Sequence, residues 1–62
     1  MNIEERFILK AIEERNYISF MYENRSFQRL KPLKLHNHIV HTDKGTFEKA
    51  KLKKLTVLKE RF

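Results

Sequence analysis

The sequence predicts an α+β domain, mostly β, in which an N-terminal helix is followed by a five-stranded antiparallel barrel. Three observations predict it. Apolar residues recur at helical spacing only up to about residue 15. From Tyr17 onward, period-two runs of β-branched and aromatic residues take over, punctuated by short turn signals. With 62 residues, the chain makes one small domain, residues 1–62.

Residues 2–15 read as the helix. Asn2 is a good N-cap, Glu5 completes a capping-box pattern, and Glu4 and Glu5 suit the positive end of the helix dipole. Ile3, Phe7 and Ala11, with Ile8 and Ile12 beside them, form the stripe expected to dock on the core. Asn16 is a plausible stop. Residues 17–22 form the first strand, with Ile18, Phe20 and Tyr22 on one face, and Glu23-Asn24 is a turn. Residues 25–35 read as one long strand that changes face at Pro32, because Leu30 has the opposite parity to Leu33 and Leu35 and a proline in a strand marks a bend or bulge. After a His36-Asn37 turn come a strand over 38–42 and a hairpin loop, Asp43-Lys44-Gly45, in which Gly45 can take a left-handed conformation. Strands over 46–52 and 54–59 complete the set, with Ala50, Leu52, Leu55 and Val57 as core candidates. Closing such a sheet removes its edges, and the helix then caps one open end, which is the layout of Sm-like and SH3-like barrels.

Composition narrows the function. There is no cysteine, so neither a disulfide nor a thiolate metal site can form, and stability rests on one apolar core, helped by self-association. A hydrophobic content of 40% exceeds that of a typical disordered chain. No apolar run approaches the roughly 18 residues that span a bilayer. The acidic start, Met1-Asn2-Ile3-Glu4-Glu5, lacks a signal-peptide layout, so a cytoplasmic protein without a membrane partner is expected. Ser19 and Ser26 have no evident base and orienting acid, and there is no glycine-rich phosphate loop. A non-enzymatic protein without a cofactor is therefore expected. His36 and His38 could share a face, but His41 points the other way, so no metal is expected.

Charge is the main clue. The net charge is +6, unevenly divided: residues 1–24 carry three Lys/Arg against five Glu, and residues 25–62 carry eleven against three Asp/Glu. The second part of the chain should therefore present a basic surface. Lys49, Lys51 and Lys53 alternate on one face of the strand near 46–52, and Arg25, Arg29 and Lys31 share parity before Pro32. Together these six cations would make a stripe that tracks a phosphodiester backbone, with Lys34 able to join it after the bend. Tyr17, Phe27, Phe47 and His38 are the candidate stacking groups.

Several segments resemble the WYL domain family. Ala11-Ile12, followed by Ile18-Ser19-Phe20-Met21-Tyr22, is similar to the family's helix end and its "I-x-F-x-Y" strand. Leu30-Lys31-Pro32-Leu33-Lys34-Leu35 is similar to its "V-x-P-L-x-L" signature, and His38-Ile39-Val40 stands at the naming tripeptide, without its Trp or Tyr. Ala50-Lys51-Leu52-Lys53-Lys54-Leu55, followed by Val57-Leu58, is similar to its "F-R-L-D-R-I…V-x-V-L" ending, with Lys53-Lys54 at the "D-R" pair. The resemblance spans roughly residues 8–59. It implies an Sm-type barrel that binds single-stranded DNA or RNA, or a nucleotide-like ligand, in a basic groove that includes Lys54, with a regulatory role. No helix-turn-helix precedes the barrel pattern, so a stand-alone or truncated module is expected. The alternative is a protein-interaction module that pairs as a homodimer or docks on a regulator, helicase or defence complex.

Overall fold

The computed structural model describes residues 3–62. Helix α1 (Ile3–Glu14) leads into β1 (Asn16–Tyr22), β2 (Arg25–Leu30), β3 (Pro32–His36), β4 (Ile39–Thr42) and β5 (Gly45–Glu48); a 3-10 turn (Lys49–Lys51) then precedes β6 (Lys53–Arg61). The Asn2 cap lies outside the described residues.

The expected five-stranded barrel is not formed. Six strands make two separate three-stranded sheets, ordered β2-β1-β6 and β3-β4-β5, antiparallel throughout. Two breaks account for this. The strand expected over 25–35 divides at Lys31, whose backbone N–H donates to the Asp43 carboxylate at 2.8 Å, and Pro32 beside it has no N–H to donate. The strand expected over 46–52 ends at Glu48, because Lys49–Lys51 curl into a 3-10 turn in which Leu52 N donates to Lys49 O. Ala50, expected in the core, is exposed on that turn, whereas Leu52 after it is buried.

The tight turns follow local chemistry. Glu23-Asn24 and Asn37-His38 both adopt positive φ, at 50° and 63° and at 51° and 63°, as two-residue hairpin loops with the twist of their strands require. The second loop therefore takes in His38, and β4 begins one residue later than the pattern suggested. Gly45 sits at φ +127°, a region that side chains other than glycine rarely adopt.

The core lies between the sheets and under α1: Ile8 and Ala11 from the helix, Ile18, Phe20 and Leu30 from the first sheet, Val40 and Phe47 from the second, and Leu52. Phe47 makes the aromatic joint. Its ring lies 5.0 Å from Phe20, 5.1 Å from Tyr22 and 5.0 Å from Phe27, bringing β5 against the first sheet. The helix docks through Ile8, Ala11 and half-buried Ile12, so Ile3 and Phe7, expected in the docking stripe, fall on the flank of that arc and are 66% and 52% exposed.

One ion pair ties the helix to the 3-10 turn. Lys49 Nζ donates to Glu5 Oε2 at 2.8 Å, with the lysine side chain only 10% exposed. That bond holds the Glu5 carboxyl below its ordinary value of 4.5. A depressed carboxylate contributes stability that is present above the unfolded value and is lost as pH falls through the folded one. Glu5→Gln should therefore melt below the wild type at neutral pH, and the gap in Tm should close as pH drops below 4.5. Thermal melts across that range check this; a gap that stays constant into acid would show that the pair contributes nothing through its charge.

Candidate nucleic-acid interface

Strand β1 is central in the first sheet and sorts its side chains by parity. Ile18 and Phe20 enter the core, so Tyr17, Ser19 and Met21 face the other way. The ladders on either side of it shift register at three places, one at Tyr17 between the Asn16–Arg61 and Ile18–Val57 pairs and two that bear cations. Between the Ile18–Leu30 and Phe20–Phe27 pairs, Gln28 and Arg29 together oppose Ser19. Between the Ser19–Thr56 and Met21–Lys53 pairs, Lys54 and Leu55 together oppose Phe20. Arg29 and Lys54 take the positive φ values of 55° and 53°. An extra residue in one strand bends it and re-aims its side chains, so each bulge redirects a cation. The backbone N–H of Arg29 donates to the Ser19 hydroxyl at 3.2 Å, and Ser19 is itself only 7% exposed. The inner serine thus fixes the first bulge.

A groove of 280 Å³ opens over β1, lined by polar Ser19, Ser26, Gln28, Lys54 and Thr56 and by apolar Phe20, Met21 and Leu58. Gln28 Nε2 donates to Ser26 Oγ at 2.8 Å, and Thr56 Oγ1 donates to Lys54 O at 3.4 Å. Among the described residues no hydrogen bond uses the Gln28 side-chain carbonyl oxygen or the Ser19 and Ser26 hydroxyl protons. Lys53, paired with Met21 across the ladder, stands beside Lys54 at one end of the face.

The other end is aromatic and cationic. Tyr17 and Phe62 lie 5.6 Å apart in a tilted pair, and the Phe62 N–H donates to Arg15 O at 2.8 Å. Around them are the guanidinium of Arg29, 5.0 Å from the Tyr17 ring, that of Arg15, 5.8 Å from Phe62, and the Lys31 ammonium, 5.9 Å from Phe62. Arg29 Nη1 also pairs with Glu60 Oε2 at 2.7 Å.

The six-cation stripe expected from the sequence does not form. Of the nine predicted site residues, Arg29, Lys31, Lys53 and Lys54 gather around the outer face of the first sheet. Arg25 stands opposite Tyr22, whose ring packs on Phe47, so the bulge puts Arg25 on the other parity from Arg29. Lys34 stands opposite His41 on the second sheet, and His38 lies in the turn before β4, its carbonyl accepting from Lys49 N at 2.9 Å. Lys49 is committed to Glu5, and Lys51 to Glu48 at 2.8 Å, a bond that raises the Lys51 ammonium above its ordinary value. Lys49 and Lys51 therefore do not alternate with Lys53 along a strand; the 3-10 turn separates them. Of the stacking candidates, Tyr17 is on the face, whereas Phe27 and Phe47 belong to the core joint. Among the described residues no His, Asp or Glu group could hold a metal ion, and no helix is long and apolar enough to cross a membrane.

Sequence reasoning missed Ser19, Gln28, Thr56, Arg15 and Phe62. The period-two pattern does place Ser19 on the face opposite Ile18 and Phe20, and that parity is the signal that could have found it. No protein-family model matches the chain, and neither a curated protein nor a solved structure matches it.

Proposed function

We propose that this protein is a non-enzymatic module that binds a short segment of single-stranded nucleic acid across the outer face of the β2-β1-β6 sheet. The observation that carries the reading is the pair of bulges flanking β1, which turn Arg29 and Lys54 onto the same face as Tyr17 and the hydroxyl-lined groove. Single-strand binders combine cations for the backbone with flat groups for the bases. This face has Arg15, Arg29, Lys31, Lys53 and Lys54 against Glu60, with Tyr17 and Phe62 for stacking. The same ligand class is implied by the WYL resemblance.

The test is the affinity for a short labelled oligonucleotide across salt concentrations, read by fluorescence anisotropy. Each phosphate contact to a single strand contributes about −0.7 to the slope of log affinity against log salt, so two to four contacts predict a slope of about −1.4 to −2.8. A slope near zero, or no binding at low salt, sinks the proposal.

A further inference from the structure

We infer that the two ends of this face take different parts of the ligand: the Tyr17–Arg29 end takes a nucleobase, and the Lys53–Lys54 end takes phosphate. The inference rests on the nucleic-acid reading above and adds a polarity to it.

Arg29 is usually the residue one would assign to phosphate, but its surroundings argue otherwise. Its guanidinium is already paired with the Glu60 carboxylate at 2.7 Å and lies over the Tyr17 ring at 5.0 Å. Its backbone is anchored to Ser19 at the bulge. A phosphate arriving there meets the repulsion of a carboxylate that already holds one of the guanidinium's five N–H donors. A base meets no such repulsion, because the planar guanidinium and the ring beside it offer π surface whatever the partner of the guanidinium edge. The Tyr17–Phe62 pair extends that surface.

The opposite end has the reverse character. Lys53 and Lys54 take part in no ion pair among the described residues, and both are exposed. An ammonium is a compact point charge with three donors and no flat face, which suits phosphate and not a base. Between the ends, Ser19, Ser26, Gln28 and Thr56 supply the hydrogen-bonding groups that fit a sugar. Glu60 is thus a positioning residue: it neutralises Arg29 and keeps it on Tyr17.

The experiment measures salt slopes for the full chain and three single variants, Arg29→Gln, Glu60→Gln and Lys54→Gln, each with a short base-bearing oligonucleotide and with an abasic one of equal length. Lys54→Gln should flatten the slope by about 0.7. Arg29→Gln should weaken base-bearing binding roughly ten-fold with the slope unchanged, as loss of one stacked base does. The abasic strand should bind the wild type more weakly and lose nothing further in Arg29→Gln. Glu60→Gln should free Arg29 for phosphate and steepen the slope by about 0.7. Arg29 and Glu60 are both more than half exposed, so the fold is retained, and the two variants lose the same ion pair and serve as each other's stability control. If Arg29→Gln flattens the slope and the wild type ignores the missing bases, this inference fails while the nucleic-acid reading stands. If the wild type binds neither oligonucleotide, both fall.

Discussion

Phe47→Ala should remove a third or more of the protein's stability. The ring of Phe47 is 7% exposed and sits within 5.0 to 5.1 Å of Phe20, Tyr22 and Phe27. Removing a buried phenylalanine costs about 3–5 kcal/mol through lost burial and the cavity left behind. At about 0.05–0.15 kcal/mol per residue, a chain of 62 residues has roughly 3–9 kcal/mol in total, so one substitution takes from about a third to all of it. The position aggravates the loss. Because the two sheets do not form one continuous sheet, they depend on side-chain packing for their mutual placement, and the aromatic joint supplies it between β5 and the first sheet. Urea titration followed by circular dichroism should show a transition shifted to low denaturant or already under way without it. Leu33→Ala is the control: Leu33 is 53% exposed, and its loss should stay within about 0.5 kcal/mol. A Phe47→Ala midpoint close to that of Leu33→Ala would mean that the joint contributes little.

What could be read from the sequence was set by neighbours along the chain. The helix and the Glu23-Asn24 hairpin depend on spacing and on residue types within a few positions, and each is where the pattern placed it, while the Asp43-Lys44-Gly45 loop shortens to Asp43-Lys44 because Gly45 opens β5 opposite Thr42. The division of the long strand and the two bulges depend on partners elsewhere. Lys31 leaves the ladder because Asp43, twelve residues away, accepts its N–H, and Arg29 is redirected because Ser19, ten residues before it, accepts its N–H. Parity counted along a continuous strand cannot include such an insertion, which shifts every later side chain to the opposite face. That is why Arg25 and Arg29, four residues apart, share parity in the sequence and lie apart in the fold. Lys49 departs from its pattern for a related reason: a lysine that looks like surface charge in the sequence is held by Glu5 across the fold. Lys53 and Lys54 come together on this face not by alternation with Lys49 and Lys51 but because the β1–β6 ladder bulges at Lys54, next to the Met21–Lys53 pair.

Replacing both Lys53 and Lys54 with glutamate should weaken single-stranded nucleic-acid binding by about 100-fold or more. Each ammonium–phosphate contact is a hydrogen bond to a charged group, worth about 1.5–3 kcal/mol, and about 1.4 kcal/mol is ten-fold in affinity. Losing two such contacts already reaches that range, and two carboxylates in their place add repulsion. The folded state should tolerate the change, because both side chains are exposed and neither takes part in an ion pair among the described residues. The double reversal also lowers the net charge by four, which by itself reduces attraction to any polyanion. Lys10→Glu with Lys34→Glu makes the same change in net charge on α1 and on the second sheet. At physiological salt the screening length is about 8 Å, so charges away from the bound strand should matter only a few-fold. Anisotropy titrations of the two double variants at equal salt therefore separate a site from a diffuse field. A 100-fold loss confined to Lys53 and Lys54 locates the phosphate contacts at that end of the face; equal losses in both would leave net charge alone responsible for the attraction.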